Sequence, residues 1–125
     1  MTQHLQKDPA IRVVLLPRDT NEHGTIFGGI IMSYLDLAGA VEAGKVTSQR
    51  FVTRAIKEVE FKQPVRVGEV VSFYASIKSI GTTSITIHID VEVMRKDNEV
   101  QVTEADLVYV CIDDNCRPIA VVKRH

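Results

Sequence analysis

The sequence predicts an α+β fold in which one long apolar helix is covered by a mainly antiparallel sheet of five strands. Three observations lead there. Residues 28–45 form an apolar segment of helix length in which Leu, Met and Ala cluster. Residues 84–93 alternate strictly, with Ile85, Ile87, Ile89, Val91 and Val93 set against Ser84, Thr86, His88, Asp90 and Glu92. That is the pattern of a strand with one buried and one wet face. Everything after the helix reads as strands separated by turn-formers, and one helix facing one sheet makes a two-layer sandwich.

Taken in order, Met1 to about Ala10 is polar and reads as a flexible arm. Ile11 to Leu16 is a short β-branched strand stopped by Pro17, and Asp19, Asn21 and Gly24 mark the loop after it. The helix is predicted over about Gly28 to Lys45, stopped by Gly44 and the polar residues 47–50. On it, Gly29, Met32, Ser33, Asp36, Gly39, Ala40 and Ala43 share one face. Because the sheet can cover only one side, this small-residue face is expected to meet a second copy of the chain. Strands are then predicted at Phe51 to Phe61, Val71 to Lys78, Ser84 to Val93 and about Val100 to Ile112, with breaks at Pro64, Gly68, Gly81 and Asp97-Asn98.

Composition narrows the function classes. With 125 residues and a net charge of -1, the chain is expected to form one domain without the broad basic surface that nucleic acid or acidic lipid requires. No apolar run approaches the roughly 20 residues of a membrane span, and the first ten residues lack a signal-peptide core. Cys111 and Cys116 form no CxxC pair, so neither a metal site nor a disulfide framework is expected, and a reducing cytoplasm is the expected compartment. Cys111 reads as a small buried residue, His88 as solvated on the wet face of its strand, and Lys123-Arg124-His125 as a solvated end.

Asp36 is the only charge between Ile30 and Val41. A buried carboxylate costs several kcal/mol unless it is paired or protonated, so Asp36 demands a partner or a task. On the residues alone, a catalytic acid and an acid satisfied on a narrow polar stripe with Ser33, or at a subunit interface, stand level. Asn21 alone reads as a turn residue capping its own backbone.

The string Asn21-x-His23-Gly24-x-x-Phe27-Gly28-Gly29, with Asp36 seven residues after Gly29, resembles the hotdog-fold acyl-CoA thioesterases of the YciA type and the brain-type acyl-CoA hydrolases. Val59-Glu60-Phe61-x-x-Pro64-Val65-x-Val67-Gly68-Glu69 fits the segment between their second and third strands. Gly81-Thr82-Thr83-Ser84 sits where they carry a CoA-contacting turn. The resemblance spans about Ile11 to Asp113 and implies a hotdog fold hydrolysing acyl-CoA to a free acid and CoA, with no metal or bound cofactor. It carries the catalytic carboxylate to Asp36 and the second catalytic residue to Asn21, contributed by different subunits of a homodimer. Such dimers assemble further, as trimers of dimers.

Around that pair, His23, Phe27, Gly28 and Gly29 are expected to line the substrate site. Gly28 and Gly29 would offer backbone N–H groups at the helix start to the developing oxyanion. Arg54, Gly81, Thr82, Thr83 and Ser84 are the candidates for CoA. Relatives often carry Arg or Lys beside the serine of that turn, where this chain has Thr82-Thr83. Asp36 would serve either as general base toward water or as a nucleophile giving a mixed anhydride. One rival is a hotdog hydro-lyase, which pairs a loop His with an acid on the helix as His23 and Asp36 superficially do. Its loop usually carries a Pro after the Phe and its helix a Glu, and Phe27-Gly28-Gly29 lacks both. A non-catalytic acyl-CoA-binding module is the other rival, but no DNA-binding element is attached and a pure binder has no need of the acid.

Overall fold

A computed structural model of the chain describes residues 8–125, so most of the expected N-terminal arm lies outside the described residues. The elements keep the predicted order: β1 (Ile11–Val14), α1 (Gly28–Val46), β2 (Phe51–Phe61), β3 (Val70–Ile80), β4 (Ser84–Arg95) and β5 (Asn98–Cys111). They form one sheet in the order β1-β3-β4-β5-β2, with every neighbouring pair antiparallel. The alternation in β4 does what it predicts: Ile85, Ile87, Ile89 and Val91 are fully buried. With Phe73 of β3 and Leu107 of β5 they pack against Ile31, Leu35 and Ala38 of α1. Lys96 and Asp97 join β4 to β5 with φ of 49° and 66°. Two left-handed residues in a two-residue loop match the twist of the strands they connect.

The face that α1 turns to the sheet differs from the expectation. Gly39 and Ala43 are buried beneath the chain's own sheet, whereas Leu37 and Val41 stay 56% and 44% exposed. A helix apolar nearly all round does not declare its inner face by hydrophobicity, so local shape decides. Here the notch at Gly39 receives a large side chain from β5.

The C-terminus is exposed, as expected, and is also tied to the end of α1. Arg124 donates its backbone N–H to the Val46 carbonyl (2.7 Å) and its Nε to that of Gly44 (2.8 Å). A cation thereby sits at the negative end of α1, although Lys123, Arg124 and His125 all stay exposed.

On the sheet face away from α1, His88 sits half-buried, with Nδ1 2.7 Å from Asp106 and Nε2 3.2 Å from Asp90. It is not merely solvated, because antiparallel register sets it directly opposite Asp106. Among the described residues, no helix is long and apolar enough to cross a membrane.

Two features fix the surroundings of Asp36 and of the start of α1. β2 is an edge strand, unpaired on its outer side among the described residues, and its register with β5 breaks after Thr53 and again after Lys57. Such bulges re-aim side chains. Arg95 of β4 grips the β2–β3 loop, bonding Glu69 through Nε (2.7 Å), Gln63 and the Pro64 carbonyl (2.6 Å). That loop in turn accepts the Ile26 N–H at Val65 (2.8 Å) and so fixes the segment leading into α1.

Candidate active site

Asp36 lies half-buried on α1 where the helix crosses the end of the sheet at β2 and β5. The Thr53 hydroxyl donates to its Oδ1 at 2.7 Å. The Tyr109 hydroxyl lies 2.7 Å from the Asp36 backbone carbonyl and 3.1 Å from the same Oδ1. Thr53 and Tyr109 are direct cross-strand partners, and the bulge at Arg54 begins immediately after them. Adjacent side chains on one face of a strand pair can converge on one acceptor, and these two do. Oδ2 accepts no bond from the described residues. Burial, then the nearby Asp36 charge, drives the Tyr109 hydroxyl well above the ordinary phenol range, so it stays a neutral donor.

Asn21 is committed to its own loop. Its Oδ1 accepts the N–H of His23 (2.8 Å) and of Thr25 (3.3 Å), while Nδ2 donates to the Thr25 hydroxyl (3.0 Å). An amide has two N–H donors, and the second is uncommitted among the described residues. Asn21 and Asp36 share no hydrogen bond within the chain. His23 is exposed, with Glu22 as its neighbour at 3.7 Å. Phe27 caps α1 with no side-chain bond, and its own N–H goes to the Asp19 carbonyl (2.8 Å). The amides of Gly28 and Gly29 have no acceptor among the described residues and point out of the positive end of the helix. A side chain at Gly29 would meet the Phe27 ring at 2.7 Å, and one at Gly28 would stand 3.5 Å from the Phe61 ring at the end of β2. Beside Gly28, a cavity of about 260 Å³ opens between Ile26, Ile31, Phe61 and Val65.

Of the candidates for CoA, Arg54 and Ser84 line one groove of about 440 Å³ along with Lys57 and Thr86. Gly81 spends its N–H on the Ser84 carbonyl (2.8 Å), and the Thr82 and Thr83 carbonyls accept from Val121 (2.8 Å) and Cys111 (3.0 Å). The turn is thus tied into the chain, and the cations along the groove come from β2. Elsewhere, His88, Asp90 and Glu104 on the far sheet face stand at metal-ligand spacing. Their carboxylates are already engaged by Gln101 (2.6 and 3.1 Å) and Lys62 (3.3 Å).

Comparison with known proteins bears on these features. The profile of the Thioesterase superfamily matches residues 23–101, from the Asn21 loop through most of the sheet. The chain belongs to this family. It is 39% identical over 121 residues to the acyl-CoA thioester hydrolase YciA of Escherichia coli strain K12, covering 93% of this chain and 92% of that one. The hexameric thioesterase y2039 from Yersinia pestis superposes with a TM-score of 0.87 at 38% identity, covering 94% and 97% of the two chains. Cj0915 of Campylobacter jejuni, a hexameric hotdog-fold thioesterase, gives 0.85 at 35% identity, covering 92% and 90%. The fold is therefore the hotdog fold expected from the motifs.

Within this thioesterase fold, sequence reasoning located the helix carboxylate and the glycine amides but missed Thr53, Tyr109 and Lys57. A signal for Tyr109 was present. The spacing Ala105, Leu107, Tyr109, Cys111 puts it on the core face, and a buried Tyr hydroxyl needs a partner. Asp36 is the carboxylate on the facing helix.

Proposed function

We propose that this chain hydrolyses acyl-CoA to a free carboxylic acid and CoA, at sites completed by a second copy of itself. The carrying observation is that the two halves of a thioesterase site occupy opposite ends of the unpaired β2 edge. Thr53, and with it Asp36, marks one end; Phe61, beside Gly28, marks the other. An antiparallel pairing of two β2 edges about a two-fold axis near Lys57 sets Thr53 of one copy opposite Phe61 of the next. Asp36 of one copy then comes near the free helix-start amides and the Asn21 loop of the other. Three such dimers make a hexamer, the assembly named for the Yersinia pestis and Campylobacter jejuni relatives.

In that arrangement the amides of Gly28 and Gly29 receive the thioester carbonyl oxygen as it gains charge, with the helix dipole behind them. Oδ2 of Asp36 faces the carbonyl carbon or the attacking water. The spare N–H of Asn21 orients the water or the carbonyl. The acyl end enters the cavity beside Gly28, and the CoA phosphates lie toward Arg54 and Lys57.

Thiol release from a panel of acyl-CoAs tests the reading, with Asp36→Asn and Asn21→Ala as controls. Hydrolysis by the wild type that falls at least about a hundredfold in Asp36→Asn, with the hexamer intact, supports it. Water addition to an enoyl-CoA without thiol release, or tight acyl-CoA binding without turnover, overturns it.

A further inference from the structure

We propose that Tyr109 is the positioning residue of Asp36, and that residue 39 is glycine to make room for it. The inference rests on the reading of Asp36 as the catalytic carboxylate.

The torsion that turns a carboxylate about its last bond is soft, so an Asp side chain does not choose which oxygen it presents. The choice has to be imposed from outside. Tyr109 is suited to impose it. Tyr109 is 1% exposed, its ring packed edge-on against Phe51 with ring centres 5.5 Å apart. Its hydroxyl reaches both the backbone carbonyl of Asp36 and Oδ1. One phenolic hydrogen shared between main chain and side chain ties the carboxylate to the helix that carries it. The hydroxyl of Thr53 on the same Oδ1 completes the grip, and Oδ2 is left for chemistry. Both donors are neutral, so the carboxylate is oriented without losing its charge to a cation.

Gly39 supplies the space. It lies three residues beyond Asp36 on the same side of α1, and a Cβ there would stand 2.2 Å from the Tyr109 hydroxyl oxygen and 2.9 Å from Cζ. Any side chain at position 39 pushes the phenol off Asp36. Gly is disfavoured in a helix interior relative to Ala, a cost this clearance explains.

The test is Tyr109→Phe, which keeps the ring and its contact with Phe51. With acyl-CoA as substrate, kcat falls about tenfold while KM stays within about twofold, as expected for a lost transition-state orientation. Gly39→Ala lowers kcat in the same way, and the double variant is no worse than the worse single, since both act through one bond. If Gly39→Ala fails to fold, Tyr109→Phe decides alone. A Tyr109→Phe enzyme with wild-type kcat, measured beside an inactive Asp36→Asn, overturns the positioning role and leaves the thioesterase reading standing. Full turnover in Asp36→Asn overturns both. A Tyr109→Phe loss that only follows the folded fraction, with kcat per folded enzyme unchanged, makes Tyr109 merely structural and overturns the proposal too.

Discussion

Asp36 and Asp106 are two carboxylates on opposite faces of the same sheet, and their surroundings could hardly differ more. Asp106, with 9% of its side chain exposed, accepts from the Lys78 ammonium and from Nδ1 of His88. Burial pushes its pKa up, but those two partners outweigh burial and hold it below the usual carboxylate range. Asp36 receives neutral hydroxyls, from Thr53 and Tyr109, on one oxygen. Cations quench a carboxylate as they fix it, which suits a structural role; hydroxyls fix it and leave its charge available. The contrast fits Asp106 to a structural part and Asp36 to the catalytic part proposed for it.

Exchanging each acid for its amide is the most forceful way to break that contrast. Asp36→Asn is expected to lose at least about a hundredfold in kcat with little change in melting temperature. Asp106→Asn is expected to keep kcat and to lose about 1–3 kcal/mol in chemical denaturation, because it leaves Lys78 and His88 facing a neutral amide. Crossed effects, with Asp36→Asn destabilised and Asp106→Asn inactive, would dissolve the distinction. A smaller effect sharpens it. Thr53→Val keeps the shape of the side chain and removes a donor from Oδ1, so kcat should fall about tenfold with KM nearly constant. An unaffected rate would mean that the hydroxyl grip on Oδ1 does not matter.

The helix side of this comparison is legible in the sequence only in part. A lone acid in an apolar helix and a glycine pair at its start are local patterns, and both stand out from the residues alone. Thr53 and Tyr109 do not, because their convergence depends on which residue of β2 faces which residue of β5, and a bulge sets that register. Helical spacing puts Gly39 on a face awaiting another subunit; from sequence, a notch for a neighbour's phenol and a smooth docking stripe look alike. Similarly, the alternation of β4 places His88 on the wet face but says nothing of Asp106 across the strand pair. Period and turn chemistry reveal the elements, while cross-strand register decides which polar groups meet.

The far sheet face also predicts how stability depends on pH, and here the groups act in opposite directions. His88 is raised: burial lowers it, but Asp106 and Asp90 prevail. Its contribution is therefore full below an unfolded value of about 6.5 and is lost as pH rises through the folded value. Asp106 is lowered, so its contribution is present above an unfolded value of about 3.9 and is lost as pH falls through the folded one. Glu92 is 5% exposed, and burial, then a hydrogen bond shared with Glu99, pushes it up to about 7. Between roughly pH 4.3 and that value the folded protein keeps a proton the unfolded chain has released, so stability declines as pH rises and then levels off. Glu92→Gln mimics the protonated acid at every pH. It should add about 1–2 kcal/mol at pH 8, almost nothing at pH 4, and leave kcat unchanged, because Asp36 lies on the other side of the sheet. Denaturant midpoints at the two pH values measure this directly. A gain equal at both would show that Glu92 does not titrate in this range, and that the far face stabilises the fold without responding to pH through it.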